Sequence, residues 1–195
     1  MSFEEKGNAQ MHTDAVVIRG GNMEEKIEVH GRFEAECYGP NGELKWKDVI
    51  ENLVVTVGRN LALDTYLAGA AYTVVGPFMG LVSGAVAPTF AAGDTMASHA
   101  GWLESGGTNP PTYTAPRKTC AWSAAAGASK ALSAALAFAM TGAGTVAGAF
   151  IVFGAGAVST IDSTAGVLYS SGAFSGGNKT VGPGDTINVS YTASI

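Results

Sequence analysis

Asp94, Ser98 and His99 stand close enough along the chain to invite a hydrolase reading, in which a histidine base and an acid activate a serine. That chemistry also calls for a nucleophile elbow or a second acidic partner, and the sequence supplies neither. The three histidines, His12, His30 and His99, have no partners at metal-ligand spacing. Glycine-rich pieces such as "GAGTVAG" lack the lysine and the strand–glycine–helix context of a phosphate loop. Trp46, Trp102 and Trp122 could build a sugar-binding platform, but three scattered tryptophans read first as core. Cys37 and Cys120 are far apart and in no metal-like spacing; in a cytosolic product they read as two buried free thiols. These residues predict no catalytic group, no cofactor and no metal. The expected protein is not an enzyme.

The charges say more. Residues 1–52 hold eleven of the sixteen acids and six of the eleven bases. The remaining 143 residues carry five of each. Ten charges cannot cover a domain of that size, so its exterior must be largely Ser, Thr, Gly and Ala. Charge is what normally keeps proteins apart, and such a surface suits a protein that lives packed against neighbours. A net charge of −5 argues against a general nucleic-acid binder, which needs a basic face. The opening "MSFEEKGNAQMHTD" is polar where a signal peptide would be apolar, so synthesis in a cytoplasm is expected.

Stepping along the chain, residues 1–25 read as an extended arm and residues 26–195 as a single β-rich domain. The arm has one β-prone run, Ala15, Val16, Val17 and Ile18, which can add to a sheet edge and is expected to make an inter-subunit contact. From Lys26, Ile27, Val29, Phe33, Ala35 and Cys37 alternate with Glu28, His30, Arg32, Glu34 and Glu36, predicting a half-buried antiparallel strand. "YGPNGE" turns the chain, Leu44 and Trp46 lie on its return, and "NLVV" (52–55) extends or restarts that sheet. Residues 57–71 predict the one clear helix, with Leu63, Tyr66, Leu67 and Ala70 at helical spacing. "PFMGLVSG" (77–84) reads as a buried strand. "FAAGDTMASHAGW" (90–102) reads as a turn, then a short helix capped by Asp94 or Thr95, then a strand from Trp102. A strand is also expected within 117–123, another over 166–174, and a last one over 186–194 with Ile187, Val189 and Tyr191 on one face. Gly-Asp-Thr occurs in both "AAGDT" (91–95) and "GPGDT" (182–186) and reads as turn chemistry, the Asp side chain bonding backbone N–H groups two residues on.

Residues 131–161 carry no charge, long enough for a transmembrane helix. Within 137–156, however, only seven residues are strongly apolar, and "TGAGT" (141–145) looks like a turn. Leu132, Leu136, Phe138 and Met140 share one parity, while Phe150 and Val152 alternate with Ile151 and Phe153 as in a strand buried on both faces. The expectation is a hairpin and not a membrane helix. The fold expected is mainly β: an antiparallel β-sandwich or jelly-roll-like domain with one helix near 57–71.

"GPNGELKWKDVIENLVVTVGRNLALDTYL", "YTVVGPFMGLVSG", "AAGDTMASHAGWLE" and the closing "GVLYSSGAFSGGNKTVGPGDTINVSYTAS" resemble a group of tailed-bacteriophage virion structural proteins. The resemblance covers roughly residues 27–195, and its most specific pieces are "ENLVVTVG", "GDTMASHAGW" and the ending. It implies a component of the virion, most plausibly a capsid decoration or cement protein. The partners it implies are the major capsid protein and neighbouring copies of the chain, with no nucleic acid and no membrane. A tail, fibre or receptor-binding component is the alternative, and a holin-type membrane protein built on 131–161 a weaker one. The resemblance carries over no catalytic residue.

Overall fold

A computed structural model describes residues 29–67 and 75–195. His12 and the run Ala15–Ile18 lie outside the described residues, as do the first positions of the alternation that begins at Lys26 and the end of the expected helix, 68–71 with Ala70. That alternation continues as β1 (His30–Tyr38), with Phe33, Ala35 and Cys37 inward, and returns through the predicted turn as β2 (Leu44–Glu51). The chain then changes sheets. β3 (Leu53–Val54) pairs with β9 (Val167–Ala173) and so does not extend the first hairpin.

The first sheet has the order β2, β1, β11 (Thr186–Ser194). β1 and β11 match over nine residues, from His30 opposite Ser194 to Tyr38 opposite Thr186. The far edge of β11 is shared by β6 (Ser129–Ala131) at one end and β7 (Leu136–Ala139) at the other. The second sheet runs β3, β9, β8 (Gly144–Phe153), β4 (Phe78–Ser83) and β5 (Lys118–Thr119), with β10 (Lys179–Val181) pairing the start of β8. Every strand pair in both sheets is antiparallel. The protein is mainly β, as the period-two runs predict, with one helix among the described residues.

The uncharged stretch finds its explanation in β8. One side of this strand, Ala149 and Ile151, joins the core between the sheets with Phe33, Ile50, Phe138, Ile187, Val189 and Tyr191. Its other side, Phe150 and Val152, enters a second cluster with Val55, Val82, Met96, Trp102 and Leu168. A strand buried on both faces has no position where a charge could reach water. Among the described residues no helix is long and apolar enough to cross a membrane.

Residues 131–153 do not form the expected hairpin. β7 pairs with β11 in the first sheet, whereas β8 pairs with β4, β9 and β10 in the second. Gly144, at a positive φ of 155°, sits where a Cβ would meet Pro111, and the N–H groups of Thr141 and Gly142 both donate to the Thr112 carbonyl. The 110–114 segment thus occupies the place a hairpin partner would take. Parity still holds, since Leu132, Phe138 and Met140 are buried.

The helix expected near Asp94 is absent. Asp94 does not cap: its Oδ2 accepts the N–H of Ala91 and the indole N–H of Trp102. Thr95 Oγ1 makes the capping contact with the Ser98 N–H, but the turn closes on itself, as Thr95 and Ser98 also exchange backbone hydrogen bonds. No strand starts at Trp102; Glu104 makes a single bridge to Val82. Of 117–123, only Lys118–Thr119 is strand.

α1 (Thr56–Leu67) begins where its first N–H donates to the Ala92 carbonyl. Gly58 brings its backbone against β9, where a Cβ would come within 2.4 Å of the Tyr169 carbonyl oxygen. Only Gly58 and Leu61 of this helix are buried.

Candidate interaction surface

Asp94, Ser98 and His99 make their hydrogen bonds within their own turn and with Trp102. His99 stacks on Trp102 with ring centroids 3.9 Å apart, and its Nδ1–H donates to the Trp102 carbonyl at 3.1 Å. Asp94 holds the indole of the same tryptophan at 3.1 Å. Asp94 and His99 therefore position Trp102 in the core, and Ser98 belongs to the turn between them. The three tryptophans do not share a platform: Trp102 is buried beside Phe150, Trp46 lies edge-on to Phe174, and Trp122 edge-on to Tyr191. Cys37 and Cys120 are free and buried, and burial pushes their thiols up to about 11 and about 12. Among the described residues no three His, Cys, Asp or Glu gather to hold a metal ion.

The two Gly-Asp-Thr turns use one device. Asp94 Oδ2 accepts the N–H of Ala91 and Asp185 Oδ2 that of Gly182, each three residues back. The carboxylate thus fixes the turn that precedes it, the reverse of the expected direction.

Sequence reading missed the buried charges. Arg117 and Glu104 form a two-pronged pair, with Nε 2.8 Å from Oε1 and Nη2 2.6 Å from Oε2. Arg117 also donates to the carbonyls of Val158 and Ser163, and Glu104 accepts the Asp162 N–H, so this one pair joins three loops. Asp48 accepts from the N–H groups of Val49 and Gly176, Ser175 Oγ and Lys179 Nζ, pinning the turn after β9 to β2. Lys45 meets Asp185 at 2.5 Å across the same end of the sandwich. One signal was available: Asp48 shares the parity of Trp46 and Ile50, the inward side of β2.

These pairs alter the surface. Of the ten charged residues in 53–195, Asp94, Glu104, Arg117 and Asp185 are buried. Six charged residues, four bases and two acids, remain for the exterior of that part. The outer face of the first sheet divides accordingly. β1 and β2 present Arg32, Glu34, Glu36 and Lys47, paired among themselves and with Glu51. β11 and β7 present Thr186, Asn188, Ser190, Ala137 and Ala139.

The helix adds an apolar patch. Leu63, Tyr66 and Leu67, the stripe that helical spacing assigns to a core, are 52%, 83% and 70% exposed. Two grooves flank the ridge formed by Ala62 and Tyr66. One, of about 510 Å³, opens at the mouth of the sandwich between Trp122, Phe153 and Tyr169, with Lys130 on its rim. The other, of about 360 Å³, lies between Arg59, Leu63 and Tyr66 of the helix and Val29 and Ile195. An apolar helix stripe is stable when something covers it. Neither a protein-family model nor a curated protein sequence matches the chain.

Proposed function

We propose that the chain is a structural protein of a bacteriophage virion, a decoration or cement protein that binds the major capsid protein and reinforces contacts between its subunits. One observation carries this reading: the bulk of the domain withdraws four of its ten charges into the interior and leaves an exterior poor in charge, with a sheet face of Ser, Thr, Asn and Ala and an apolar helix face beside it. A freely diffusing protein with that surface would be poorly protected from association; a subunit held on a shell uses it. Standard contacts bury about 1,600 Å² in all, and extended neutral faces offer such area without desolvating charges. The sequence resemblance to virion proteins supports the same reading. Electron cryomicroscopy of purified particles containing the chain tests it. The reading requires density for the two-sheet domain on the outer surface of the head, over junctions between capsid subunits. Density confined to the tail or its fibres would refute it.

A further inference from the structure

We propose that, in place of the inter-subunit contact expected from the sequence, the groove between α1 and the end of β11 is the seat of the chain's own N-terminal segment, with Ala15–Ile18 laid against Leu63 and Tyr66. The groove needs an occupant, since it is walled by Ala62, Leu63, Tyr66, Val29 and Ile195, and the exposed side chains there are large and apolar. Residues 1–28, outside the described part, join the domain at Val29, itself a wall of this groove. They are therefore tethered at the site, and a short tether gives an effective concentration of about millimolar.

Length and charge agree with this seat. Ten residues separate Ile18 from Val29, an extended reach of about 33–36 Å. The twelve-residue helix is about 18 Å long. The connecting stretch contains Gly20, Gly21 and Asn22, residue types that reverse a chain at little cost. Folded back there, it lets Ala15–Ile18 run beside the helix. The charged residues that line the two grooves are both basic, Arg59 and Lys130. Residues 1–28 carry six acids against three bases, with Glu24, Glu25 and Glu28 next to the junction. Most other acceptors for a β-prone run are occupied. Leu103 and Ser105 bond β4, Thr114 bonds the outer edge of β7, and Ser123 bonds β6. Lys45 and Lys47 stand on the edge strand β2, where lysine discourages added strands.

The test uses the full chain with a nitroxide on Asp14→Cys. Cys37 and Cys120 are buried with raised thiols and will not take the label under native conditions. In isotope-enriched labelled protein, the amide signals of Arg59, Leu63 and Tyr66 should lose intensity and recover when the nitroxide is reduced. A further Val17→Asp substitution should abolish the loss. Unchanged signals would overturn the proposal. So would broadening in a mixture of labelled unenriched chains with unlabelled enriched ones, which would give the groove to the segment of a neighbouring copy. The protein is tested alone, so either result leaves the capsid reading to its own experiment.

Discussion

Glu104 and Arg117 show how far a single pair can matter in a chain so poor in charge. Breaking a buried pair by removing one partner costs about 3–5 kcal/mol, because the other charge stays buried and uncompensated. Glu104→Gln should therefore lower stability by about that amount in denaturant melts, and Arg117→Met similarly. The double substitution should cost clearly less than the sum of the two, the sign of direct coupling. Additive losses would show that the two side chains act separately. Asp48 gives a pH signature. Burial works to raise its carboxyl, but the bonds from Lys179, Ser175 and the N–H groups of Val49 and Gly176 outweigh burial and hold it at about 2. An unfolded aspartate titrates near 3.9. The folded value is depressed, so the group's stabilisation is present above about pH 4 and is lost as pH falls through about 2, roughly 2.5 kcal/mol in all. Asp48→Asn should flatten stability against pH across that window; an unchanged acid limb would contradict the assignment. At this scale little was legible in sequence. The parity of Asp48 pointed inward, but the partners of Glu104 and Arg117 come from loops whose meeting no spacing rule predicts.

Among the elements, α1 sets helix propensity against packing. On an isolated helix, Gly58→Ala would gain about 1 kcal/mol. Here the added Cβ would lie 2.4 Å from the Tyr169 carbonyl oxygen, which is backbone and cannot rotate away. The helix must lift from β9, and overpacking of this kind costs about 1–3 kcal/mol. Thermal melts should show a net loss; a gain would mean that α1 is not seated as described. The elements themselves were largely readable. The alternations in β1 and β11, the doubly buried β8 and the described part of the helix fall where period and parity place them, while Leu44 at the start of β2 is exposed. Partners were not readable, because periodicity states which side of a strand is buried and leaves open which strand lies beside it. "TGAGT" is a turn signal in either case: here it carries the chain from the first sheet to the second. The helix stripe was found and its destination was not, since spacing cannot say whether Leu63, Tyr66 and Leu67 cover this domain or another surface.

For the whole molecule, the distribution of charge is the property that links sequence to proposed role. It was visible in the counts, and the burial of Asp94, Glu104, Arg117 and Asp185 sharpens it. A neutral contact face has a measurable consequence. Screening weakens attraction between exposed charges, the Debye length falling to roughly 3 Å at 1 M salt, but leaves apolar and shape-based contact in place. The most direct measurement is therefore co-sedimentation of the purified chain with shells of the major capsid protein, at low salt and at 1 M. The account predicts saturable binding in a fixed ratio to capsid subunits, with affinity nearly the same at both. Absence of binding, or binding that vanishes in high salt, would contradict it.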